Sequence, residues 1–143
     1  MIVAWTQFRG TFFELLYPSD WECEIIEDIP CFFDPEGGGA VQVAAFRHPD
    51  GGNFDFDEEM ERYLKGHGIR MDKSRIAEFS IPSGLPCRAC EFVLEDRFWM
   101  ANMVVQGSRM ILVIYNSDDM PDADTVQKIS GLIQTLRLEA GKA

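Results

Sequence analysis

Four cysteines, two histidines and one acidic run are the side chains whose types and spacing invite chemistry in this sequence. Cys87 and Cys90 stand in a C-x-x-C spacing, the interval of thioredoxin-like redox sites. In such a site the motif opens a helix after a strand. Here it starts Cys87-Arg88-Ala89-Cys90-Glu91-Phe92-Val93-Leu94, which patterns as a strand. Residues i and i+3 of a strand face opposite sides and stand about 10 Å apart, so the pair can neither bond nor share one zinc ion. Cys23 and Cys31 fall in neighbouring expected strands, and all four cysteines read as ordinary, mostly buried thiols. His48 lies in the turn Arg47-His48-Pro49-Asp50-Gly51-Gly52. His67 lies between two glycines at an expected helix end, where the dipole favours a protonated ring. No signature of a Cys/His nucleophilic pair surrounds any cysteine.

The acidic run over residues 50–59 places oxygens at Asn53, Asp55 and Asp57, like the first ligands of a calcium loop. The match fails at its sixth position, Glu58 in place of Gly, and at its twelfth, Leu64 in place of Glu. Gly37-Gly38-Gly39 lacks the Lys-Ser/Thr and the helix of a phosphate cradle, and reads as a hairpin turn. No Gly-x-Ser-x-Gly, His-Glu-x-x-His or zinc quartet occurs. No catalytic, cofactor-binding or metal-ligating residue is therefore assigned, and no cofactor is expected.

Charge says more than motif. The chain carries 24 acids against 13 bases, a net −11 with a pI near 4.5, which argues against a nucleic-acid partner. Residues 14–61 hold 14 acids and a single base, Arg47, so −13 sits there and +2 elsewhere. Directly after come Arg62, Lys65, Arg70, Lys73 and Arg75 against Asp72 alone. A solvated sheet face accounts for such a block. So does a docking face for a basic protein partner, with Glu14, Glu22, Glu24, Glu27 and Asp28 as its candidate residues.

The elements that position these groups follow from periodicity. With 143 residues, 46% hydrophobic, the chain fits one domain with a sizeable core, and disorder is excluded. Strands are expected over 12–17, 21–25, 31–33 and 41–46, with Trp21, Cys23 and Ile25 facing inward and Glu22 and Glu24 outward. Asp28-Ile29-Pro30 is read as a turn. A helix starts at Asp55-x-x-Glu58, carries Phe56, Met60, Tyr63 and Leu64 on one stripe, and ends at Gly66 and Gly68. A second strand set covers 75–81, 87–94, 98–106 and 109–116, with turns at Glu95-Asp96 and Gly107-Ser108. The run 110–115 is apolar at both parities and should be a central strand buried on both faces. A last helix covers about 122–136, with Val126, Ile129, Leu132, Ile133 and Leu136 as its stripe. The expected order is ββββ-α-ββββ-α.

The string Tyr17-Pro18-Ser19-Asp20-Trp21, the aromatic strand Cys31-Phe32-Phe33-Asp34, the Gly-rich turn with its Val-x-Val strand, and the closing Leu136-Arg137-Leu138 resemble the PsbP-like superfamily. That superfamily includes the extrinsic photosystem II protein, the Mog-type Ran-binding protein and bacterial families of unknown role. The resemblance spans residues 12–138. It implies a single α+β domain over 1–143, an α/β/α sandwich with a central, mostly antiparallel sheet. It also implies protein binding rather than catalysis, with no shared catalytic residue to carry over. A chaperone role, known for some bacterial relatives of the fold, is one form of this.

The expected function is thus a small acidic non-catalytic protein-binding or adaptor module. The alternative is a small-ligand binder or enzyme with a pocket between sheet and helix that uses a cysteine. The first ten residues lack a basic region, an apolar run and a cleavage site, and no apolar run approaches membrane length, so a cytoplasmic protein off the membrane is expected. Exposed strand edges make a homodimer a further expectation.

Overall fold

Residues 110–115 lie at the centre of the structure, as their double-sided apolar pattern requires. The computed structural model describes residues 4–139. Met1, Ile2 and Val3, part of the stretch read for targeting, lie outside the described residues. In chain order the first elements are β1 (Trp5–Arg9), β2 (Phe13–Pro18), β3 (Glu22–Ile26), β4 (Ile29–Phe33), β5 (Gly39–Arg47) and the helix α1 (Phe56–Gly66). After a 3₁₀ turn at Lys73–Arg75 come β6 (Ala77–Ser80), β7 (Pro86–Leu94), β8 (Arg97–Gln106), β9 (Arg109–Ser117), the helix α2 (Ala123–Gln134) and β10 (Arg137–Leu138).

A seven-stranded sheet has the order β3-β4-β5-β9-β8-β7-β6, with β9 in its middle. A three-stranded sheet has the order β1-β2-β10. All recorded strand pairs are antiparallel. The fold is α+β around a central sheet. On one face, Val41, Val43, Val113 and Tyr115 pack with Phe13 and Leu15 of β2 and with Ile129, Leu132 and Ile133 of α2. On the other, Ala101, Met103, Val105 and Met110 pack with Met60 and Leu64 of α1. Each fully buried aliphatic side chain contributes about 1.5–3 kcal/mol.

The helices start where their caps place them. The Asp55 carboxylate accepts the Glu58 N–H at 2.9 Å, and that of Asp122 accepts the Thr125 N–H at 2.8 Å. The expected capping box is only half made, since the Glu58 carboxylate turns to Arg62.

Three expectations need correction. The element order has five strands before α1, and a short strand after α2. β1 was missed because Trp5-Thr6-Gln7-Phe8-Arg9 alternates poorly and lies largely exposed at an edge. Its Phe8 nevertheless packs against the main core, ahead of the stretch beginning at residue 12. Second, the turn sits at Glu27-Asp28, and Pro30 lies inside β4 opposite Ile25. β5 pairs with β4 only from Cys31 onward, so Pro30 owes that neighbour no N–H. Third, Ile25 and Val126, expected inward, are 57% and 39% exposed, each near an end of its element, Ile25 close to the Glu27-Asp28 turn and Val126 in the first turn of α2. Among the described residues no helix is long and apolar enough to cross a membrane.

Candidate functional site

Glu22, Glu24, Glu27 and Asp28 come together on the β3–β4 hairpin at one end of the large sheet. Glu22 and Glu24 stand opposite Phe33 and Cys31, on the side away from the main core. Glu27 and Asp28 form the turn, with φ of 50° and 66°. That left-handed pair is the turn whose twist suits a two-residue hairpin. Ile25 and Ile26 between them are 57% and 51% exposed. Among the described residues none of these four carboxylates has an ion-pair partner.

Glu14 is not part of this group. It lies on β2 in the small sheet, opposite Arg9 and Arg137, pairs with Arg9 at 3.5 Å and accepts a hydrogen bond from Gln7 at 3.2 Å. Acids late in the anionic block are held elsewhere too. Glu58 and Glu59 pair with Arg62 at 3.2 and 3.0 Å, and Asp57 pairs with Arg88 and, at 3.5 Å, with Lys73. The charge block of the sequence is therefore split over the hairpin, the small sheet and α1, and its basic neighbour partly neutralises it.

Arg70 and Arg75 have no ion-pair partner among the described residues. Both line a cleft of about 580 Å³ between the exit of α1 and β7. Leu64, Ile69, Ile76, Cys90 and Phe92 supply its apolar surface. β6 pairs with β7 only as far as Ala77 opposite Ala89, so the chain before β6 diverges from the sheet there and leaves the gap.

The cysteines are free thiols. Cys87 belongs to the core under α2 and Cys90 to the core under α1, so the C-x-x-C pair does face opposite ways. Burial pushes the Cys87 thiol up to about 12, slightly opposed by a hydrogen bond with the Met103 backbone. Burial also raises Cys90, with Glu91 adding to it. Cys23 and Cys31 are raised by burial as well, then by Cys31 and Glu24 respectively. Burial thus holds each thiol toward its protonated form.

His48 accepts the Asp50 N–H at 3.3 Å and meets the Phe54 ring edge-on, a turn histidine. His67 caps α1 through its backbone. Its ring lies 4.8 Å from Tyr63, 5.2 Å from Trp99 and 5.9 Å from Phe92, centroid to centroid. Sequence reasoning missed this aromatic cluster. The signal was present: a two-residue turn at Glu95-Asp96 sets Phe92 opposite Trp99. Burial raises the Tyr63 hydroxyl, with Cys90 adding to it.

No protein-family model matches the chain, and no curated protein matches it. Solved structures do. The solution structure of cyanobacterial PsbP (CyanoP) from Synechocystis sp. PCC 6803 superposes with a TM-score of 0.67 at 14% identity, over 96% of this chain and 94% of that one. The fold is PsbP-like. A crystal structure from Bacteroides thetaiotaomicron VPI-5482 gives a TM-score of 0.60 at 17% identity over 92% of this chain, which spans 47% of that protein's length. A PsbP-like fold at these identities fixes the scaffold that carries the hairpin and the cleft. It assigns no role to either.

Proposed function

We propose that this PsbP-like chain is a non-catalytic protein-binding module whose β3 edge captures an extended basic segment of a partner. One observation carries the reading: β3 ends the large sheet, its flanking carboxylates are unpaired among the described residues, and Ile25 and Ile26 are more than half exposed. A strand added to such an edge gains main-chain hydrogen bonds, and its side chains alternate between the two faces. Lys or Arg would meet Glu22 and Glu24 on one face, while apolar residues would meet Ile25 on the other. Charges on an edge also deter promiscuous pairing. A second copy pairing β3 with β3 around Glu24 would bring carboxylates together, so the partner is a different, cationic chain. A cytoplasmic location belongs to the same proposal and is supported by the four free thiols.

The test uses extended peptides with alternating Lys and Val, read by calorimetry and by amide hydrogen exchange. Binding should protect the amides of β3, weaken as salt rises, and be lost in Glu22→Lys/Glu24→Lys. Equal binding of an alternating Glu/Val peptide, or protection confined to another strand, overturns the reading.

A further inference from the structure

We propose that the cleft between the end of α1 and β7 is a binding site for a monoanionic amphipathic molecule, an organic carboxylate with an apolar body. The site is separate from the β3 edge and lies toward the opposite end of the sheet. Its volume of about 580 Å³ falls in the range of small-molecule pockets, roughly 300–1,000 Å³. The apolar side chains lining it have no covering layer: Leu64 and Cys90 are buried, but Ile69, Ile76 and Phe92 are only partly so. A bound hydrocarbon or ring would complete that burial.

The charges select the head group. Arg70, Lys73 and Arg75 line the cleft together with Asp72 and Glu91. Lys73 is turned to Asp57 at 3.5 Å. The Asp72 carboxylate accepts the Ser74 N–H at 3.0 Å and its hydroxyl at 2.6 Å. Arg70 and Arg75 remain with planar forks open to an oxyanion, and a carboxylate matches a fork with two parallel hydrogen bonds. With Lys73 drawn to Asp57, the two arginines are balanced by Asp72 and Glu91. The cleft has no surplus for a second negative charge, so a singly charged carboxylate suits it better than a doubly charged phosphate monoester. Cys90 contributes apolar surface and no covalent step.

The experiment titrates the full chain with decanoate, decyltrimethylammonium, decanol and decyl phosphate below their micellar concentrations, read by calorimetry. Decanoate is expected to bind once per chain, at least about tenfold tighter than the cation or the alcohol, the effect of one charge-assisted contact. Arg70→Gln/Arg75→Gln should weaken decanoate about tenfold with Tm unchanged, and Ile76→Asp should abolish binding. Glu22→Lys/Glu24→Lys should leave it intact, which separates this site from the β3 edge. No saturable binding, equal affinity for the cation, wild-type affinity in the arginine variant, or markedly tighter binding of decyl phosphate overturns the proposal.

Discussion

The guanidinium of Arg88 lies over the ring of Phe56, with its central carbon 4.6 Å from the ring centroid. Its nitrogens pair with Asp57 and, at 3.1 Å, with Glu78. One side chain of β7 thus clamps the first turn of α1 and ties it to β6. The Arg88 hydrogen bond, helped by the charges of Arg88 and Lys73, holds the Asp57 carboxyl below the usual carboxylate range against the opposing effect of burial. A depressed carboxylate contributes stability above its unfolded pKa of about 3.9, and the contribution is lost as pH falls through the folded value. Arg88→Met should therefore raise the Asp57 pKa toward normal in an NMR titration, and it should lower Tm at pH 7 by more than at pH 3. An unchanged Asp57 titration in the variant would show that the clamp does not act on it.

The alternation of apolar and polar residues made the central sheet legible, because register and burial impose the same period of two. Residues 110–115 could only be a strand covered twice, and both covers were readable as amphipathic helices with acidic caps. The small sheet was not, since Trp5–Arg9 and Arg137–Leu138 are short and take their pairing from β2. The candidate site was half legible. Glu22 and Glu24 announced an exposed strand face, but charge counted along the chain merged them with Glu14 and the α1 acids, which the fold separates. The cleft was invisible because it depends on where β6 stops pairing with β7.

Glu95 and Asp96 adopt φ of 53° and 62°, a conformation costing an L-residue with a Cβ roughly 1–2 kcal/mol. Asn-Gly is the pair best suited to this turn. Glu95→Asn/Asp96→Gly should raise stability by about 1 kcal/mol in urea unfolding, with the m-value unchanged. A fall in stability would mean that the two side chains hold the hairpin by contacts of their own.

Thiol reactivity follows burial. At pH 7.5 the folded protein should react slowly with iodoacetamide, Cys23 first because it alone is half-exposed, and Cys87 last. All four should react together once guanidinium unfolds the chain. Rapid native-state labelling of Cys90 would restore the nucleophile reading that its raised pKa argues against.

Gly131 lies inside α2, where glycine costs up to about 1 kcal/mol against alanine. It is retained because a Cβ there would sit 2.5 Å from the Trp5 ring, which lies flush on the helix. Gly131→Ala should therefore lower Tm in the natural chain, by pushing the indole off α2 and loosening β1. With Trp5 shortened to Ala the obstacle is gone, and the same Gly131→Ala change should stabilise by about 0.5–1 kcal/mol. The sign reversal across this double-mutant cycle is the readout. If Gly131→Ala has the same effect in both backgrounds, the indole does not set the residue at 131.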